Sequence, residues 1–119
     1  MENSGTSNFN PKFRIRTKHF AINLCKLFNK PQNDESTRVL VRQIIRSGTS
    51  VASNFYAATR ARSAAEYYAK LCIVVEEWNE TLFWLDLLID SEVMKTEELL
   101  KVFATARKSL KTRIQTLKQ

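Results

Sequence analysis

Chain breakers are almost missing from this sequence, with two glycines and two prolines among 119 residues. Of the four, only Gly48 falls inside a long periodic stretch. That scarcity excludes a many-stranded sheet with its frequent turns and favours a few long elements on short connections. Histidine occurs once and cysteine twice. Cys25 and Cys72 stand far apart among apolar residues, without the close, paired spacing of a zinc site or a disulfide framework. They read as reduced, buried thiols of a cytoplasmic protein. No apolar run approaches the roughly 18–20 residues that a membrane helix needs. The opening Met1–Pro11 is polar and rich in Asn and Ser, with no apolar segment of the secretory kind. It is expected to be a disordered tail over residues 1–11, followed by one helical domain over residues 12–119.

What the chain does have is helical rhythm. Phe13, Phe20, Leu24 and Leu27, with Thr17 between, predict a helix from about Pro11 to Phe28. A turn containing Pro31 follows, and a second helix is expected from near Ser36. One face of it carries Val41, Ile44, Ile45, Gly48, Ala52 and Phe55. The small residues of Ser47–Ser53 lower helix propensity, glycine by about 1 kcal/mol against alanine. They also let another backbone come close, so the tightest helix contact is expected here. Ser63-Ala64-Ala65-Glu66 has the spacing of a capping box and starts a third helix that runs to about Asp90. Along it, Tyr68, Leu71, Val75, Trp78, Leu82, Leu85 and Ile89 alternate spacings of three and four and predict its buried seam. A fourth helix is expected from Thr96-Glu97-Glu98, striped by Leu99, Phe103, Ala106, Leu110, Ile114 and Leu117. Short turns between amphipathic helices imply an all-α, antiparallel up-down-up-down four-helix bundle.

The net charge of +7 is strongly segregated along the chain. Residues 1–62 hold eleven Lys/Arg and three Asp/Glu; residues 63–98 hold two and nine; residues 99–119 hold six and none. In an antiparallel bundle, this order collects Lys12, Arg14, Arg16, Lys18, Arg60, Arg62, Lys70, Lys111, Arg113 and Lys118 at one pole, against Glu66 alone. The other pole gathers Asp34, Glu35, Asp86, Asp90, Glu92, Glu97 and Glu98 against Lys26, Lys30, Arg38 and Lys95. Two readings of the basic pole stand side by side. One is phosphate binding, in which each cation that neutralises a phosphate releases counterions. The other is a solvated helix surface that keeps the protein soluble. Phe13, Tyr67 and Tyr68 lie nearby and are expected to pack, so base-sequence readout is not indicated.

The third helix is apolar on more than one side, because Phe83, Trp84 and Leu87 lie off its main seam. Such a helix calls for a contact beyond its own chain, and a homo-oligomer is expected. Glu76, Glu77 and Glu80 on the same helix either pair with Arg46 of their own chain or meet a basic neighbouring subunit. Catalytic chemistry finds no foothold. His19 is a lone helical histidine, no Glu-x-x-His motif accompanies the helix-three glutamates, and no Gly-rich phosphate loop occurs. The expectation is a non-enzyme without cofactor or metal.

Three blocks carry a family likeness: Arg46-Ser47-Gly48-Thr49-Ser50-Val51-Ala52-Ser53-Asn54; Arg60-Ala61-Arg62-Ser63-Ala64-Ala65-Glu66-Tyr67; and Val75-Glu76-Glu77-Trp78-Asn79-Glu80-Thr81-Leu82-Phe83-Trp84-Leu85. In that order they resemble the 23S rRNA intervening-sequence protein family, small bacterial helical bundles. The likeness spans about Phe13 to Leu117. Where many members have Glu-Gly shortly after the asparagine, this chain has Ala57-Ala58. The resemblance implies a four-helix bundle assembling into a ring-shaped homopentamer. It also points to kinship with the accessory variability determinant of diversity-generating retroelements, a basic barrel that binds nucleic acid and a reverse transcriptase. No catalytic residues transfer. A ring would repeat the basic pole five times, so weak phosphate contacts would add through multivalency. The expected nucleic-acid-binding residues are thus Lys12, Arg14, Arg16, Lys18, Arg60, Arg62, Lys111, Arg113 and Lys118, with RNA or DNA as partner. The alternative expectation is a scaffold or accessory subunit for a nucleic-acid enzyme, making no direct nucleic-acid contact.

Overall fold

The structure, a computed structural model, describes residues 9–30, 32, 34–92, 101 and 104. Three α-helices and no strand occur among them: α1 (Phe9–Leu27), α2 (Glu35–Ala58) and α3 (Ala64–Asp90). Of the expected fourth helix, only Lys101 and Ala104 are among the described residues, and both are helical.

Helix α1 begins at Phe9, ahead of Pro11 and inside the expected tail. Proline is tolerated in a first turn because its missing N–H has no helical acceptor there anyway. Helix α2 starts at Glu35 and is capped by Asp34. The Thr37 amide (3.0 Å) and hydroxyl (3.2 Å) both donate to Asp34 Oδ2. This satisfies an amide that the helix itself leaves without a partner. Helix α3 is capped as its sequence implies, with the Glu66 amide donating to Ser63 Oγ at 3.1 Å.

Successive helices run antiparallel. Phe13 near the start of α1 meets Phe55 near the end of α2, with ring centroids 4.7 Å apart and planes at 76°. Towards the other end, Leu24 lies against Gly48. Between α2 and α3 the register is set by Ser47 and Thr81, whose hydroxyls are 2.9 Å apart and fully buried. Trp78 of α3, 1% exposed, receives both Phe13 (5.7 Å) and Phe20, the latter stacked at 5.5 Å with planes 17° apart. Burying side chains of this size contributes about 1.5–3 kcal/mol each. These four rings, with Leu24 and Phe28, tie α1 to the α2–α3 hairpin. The Trp78 indole N–H has no hydrogen-bond partner among the described residues, which offsets part of that gain.

The small stretch of α2 meets both neighbouring helices, through side chains of α1 on Gly48 and a hydroxyl of α3 on Ser47. Gly48 faces α1 through Leu24 and Phe20, while neighbouring Ser47 faces α3. Around them Val41, Ile44, Val51, Phe55 and Ala58 are buried, and Ile45 and Ala52 only half so.

The seam of α3 differs from the expected ladder. Its buried positions are Tyr67, Leu71, Val74, Trp78, Thr81, Leu85 and Leu88. Tyr68 is 59% exposed, whereas Val75, Leu82 and Ile89 are partly buried against the core. Thr81 explains the shift. Its polarity hides it from an apolar pattern, yet it is buried because its hydroxyl lies 2.9 Å from Ser47 Oγ and 2.8 Å from the Glu77 carbonyl. The cysteines also depart from expectation: both are free, but Cys25 is exposed on the outer side of α1 and Cys72 is half-buried. Among the described residues no helix is long and apolar enough to cross a membrane.

Candidate nucleic-acid interface

The start of α1, the end of α2 and the start of α3 share one end of the structure. Burial of Phe13 orients α1 here: with one face inward, Lys12, Arg14 and Arg16 are left exposed. The α2–α3 turn is pinned by amides of Arg60 and Ala61 donating to the carbonyls of Ala57 and Ala58, each at 3.1 Å. Ala61 is 7% exposed, so the turn is anchored by its small residue while Arg60 and Arg62 point outward.

Two of these cations meet over one ring. The guanidinium of Arg60 lies 4.7 Å from the centroid of Tyr56, and that of Arg14 lies 5.9 Å from it. Both distances fall within the roughly 6 Å reach of a cation–π contact. Tyr56 is nevertheless 46% exposed. Neither guanidinium has a carboxylate partner among the described residues. Arg62 does, with its Nε 3.7 Å from Glu66 Oε2, but at 91% side-chain exposure that pair contributes little.

Six of the nine expected binding residues are described, and they do not form one cluster. Arg14 and Arg60 are brought together, with Lys12, Arg16 and Arg62 on the neighbouring turns. Lys18 sits further along α1, where with Ala21, Ile22, Cys25, Lys26 and Asn29 it lines an open groove. Lys111, Arg113 and Lys118 lie outside the described residues. Of the aromatics expected nearby, Phe13 and Tyr67 are buried, and Tyr68 is exposed. Tyr56 was not anticipated. Its four-residue spacing from Arg60, across the end of α2, is readable in the sequence, but the arrival of Arg14 depends on the α1–α2 register.

On α3, Phe83 is 58% and Leu87 40% exposed, while Trp84 is half-buried and meets the Phe83 ring edge-on at 5.0 Å. Glu76 is exposed. Glu77 and Glu80 are engaged within their own chain by Arg46: its Nη2 pairs with Glu80, and its Nη1 lies 3.6 Å from Glu77 Oε2. The hydrogen bond from Arg46 holds the Glu80 carboxyl below its ordinary range. Burial, and then the neighbouring Glu80 charge, push the Glu77 carboxyl up. The same bond to Glu80 raises the pKa of the Arg46 guanidinium. At the other end, Arg38 holds Glu35 low by hydrogen bonding and by its charge. Among the described residues no group of three or more His, Cys, Asp or Glu side chains is placed to hold a metal ion.

The described structure is thus a small all-helical protein with Arg14 and Arg60 brought together at one end and exposed apolar side chains on α3. Residues 13–114 match the family described as 23S rRNA-intervening sequence protein. A crystal structure from Bacteroides thetaiotaomicron VPI-5482, described as a protein of unknown function from the S23 ribosomal protein family, is 31% identical. The match covers 92% of this chain and 98% of that one with a TM-score of 0.81. The chain belongs to the 23S rRNA-intervening sequence protein family. No curated protein matches it.

Proposed function

We propose that this protein is a non-enzymatic, homo-oligomeric four-helix bundle that binds RNA or DNA without sequence preference through its basic end. The observation that carries the reading is the meeting of Arg14 and Arg60, from α1 and the α2–α3 turn, over Tyr56 with no carboxylate partner among the described residues. A charge segregated merely for solubility gains nothing from bringing guanidiniums together. A polyanion does, because each neutralised phosphate releases counterions. Assembly into a ring, as the family resemblance implies, would repeat the site and raise affinity without new contacts.

The test is fluorescence anisotropy with labelled RNA and duplex DNA across a salt series. Affinity should fall with salt at a slope of about 0.9 per duplex phosphate contacted. Arg14→Glu with Arg60→Glu should abolish binding while leaving the helical circular dichroism intact. Absence of binding even at low salt would exclude the reading.

The exposed Phe83 and Leu87 favour a second one, a scaffold or accessory subunit for a nucleic-acid enzyme. Kinship with the accessory determinant of diversity-generating retroelements would make that enzyme a reverse transcriptase. In this reading the basic end docks on protein, and charge reversal there weakens enzyme capture instead of nucleic-acid binding.

A further inference from the structure

We infer that Tyr56, with Arg14 and Arg60, forms a stacking site for an unpaired nucleobase, so that single-stranded nucleic acid is the preferred ligand of the basic end. This deepens the nucleic-acid reading above and rests on it. A duplex hides its base faces, and a site that served duplex phosphates alone would have no use for an exposed aromatic residue. Here nearly half of a tyrosine is open to solvent, between cations that are themselves free of carboxylates among the described residues. Stacking on aromatic faces beside a cationic track is how single strands are held without regard to sequence.

The geometry also shows how a base gains entry. Arg60 lies close over the ring at 4.7 Å, whereas Arg14 at 5.9 Å is at the edge of useful cation–π distance. Arg14 therefore loses little by leaving the ring, and a base that takes its place brings a phosphate for it to pair with. Arg60 stays near the stacked base, and its turn is already fixed by the Arg60 and Ala61 amides and by buried Ala61. The Thr59 hydroxyl donates to the Tyr56 carbonyl at 2.6 Å, closing the helix end. Little ordering remains to be done on binding, which favours affinity.

The experiment compares a fluorescein-labelled oligo(dT) strand, an oligo(U) strand and a hairpin duplex of matching length on the full chain and on Tyr56→Ala, Tyr56→Leu and Tyr56→Phe. Wild type should bind both single strands more tightly than the hairpin. Tyr56→Ala and Tyr56→Leu should each lose about five- to a hundredfold on the single strands and less than about twofold on the hairpin. Tyr56→Phe, which keeps the ring, should bind as wild type does. The salt slope should not change in any of the three, since no charge is removed. Equal losses on strand and hairpin would reduce Tyr56 to a support for the two arginines and overturn the inference. So would unchanged affinity in Tyr56→Ala, or a wild type that prefers the hairpin; in all these cases the broader nucleic-acid reading survives. If wild type binds none of the three probes, both fall together.

Discussion

Gly48 and Leu24 compete for one volume. A Cβ built on Gly48 would overlap the Leu24 Cδ1, while Phe20 Cε2 at 3.5 Å and Leu24 Cγ at 3.6 Å would lie in ordinary contact with it. Leu24 is fully buried, so its methyl has to turn within the packed core to make way. Gly48→Ala gains about 1 kcal/mol of helix propensity but overpacks the α1–α2 contact by about 1–3 kcal/mol. The net expectation is a loss of about 1 kcal/mol in urea melts. In a Leu24→Ala background, where the overlap is gone, the same change should stabilise. Additive effects of the two substitutions would show that the helices are not in contact here.

Glu77 and Glu80 share Arg46, and their pKa values move in opposite directions. A carboxyl raised on folding, such as Glu77, contributes stability in acid that is lost as pH climbs through its folded pKa. A carboxyl lowered on folding, such as Glu80, contributes stability above its unfolded pKa that is lost as pH falls. The two slopes oppose each other, and wild-type thermal melts between about pH 3 and 6 should show little net dependence from this site. Glu77→Gln removes the first slope and leaves Glu80 held low chiefly by Arg46, so Tm should fall more steeply on acidification than in wild type. Parallel Tm–pH curves would contradict the assignment.

Phe83→Glu tests the apolar patch. Phe83 is 58% exposed, so the fold should lose no more than about 1 kcal/mol, chiefly its edge contact with Trp84. If the patch joins copies of this chain, light scattering should report a smaller particle at concentrations where wild type is assembled, with affinity between copies down at least about tenfold. An unchanged mass would place the contact between copies elsewhere.

The first three helices and the Ser63 cap are legible in the sequence because local chemistry sets them, whereas the Asp34 cap and the start of α1 at Phe9 are not. Ser63 announces a boundary, and Gly48 marks a close approach wherever its partner comes from. Helix faces were harder. A heptad pattern gives the period of a stripe but cannot choose between adjoining stripes when α3 is apolar on both, and buried Thr81 carries no apolar signal. Cys25 follows buried Leu24 in the sequence, yet it lies on the outer side of α1. At the candidate site, the basic character was plain from composition. The ring at its centre was not, because Arg14 and Tyr56 are neighbours only after α1 has found its register on α2.

Trp78 offers a practical dividend. Its indole is enclosed by two phenylalanines that both belong to α1, so detachment of that helix alone would let water reach the ring and shift its emission to longer wavelength. The fluorescence of a Trp84→Phe variant would therefore gauge α1 docking directly, separating partial opening at one edge from global unfolding without any added label.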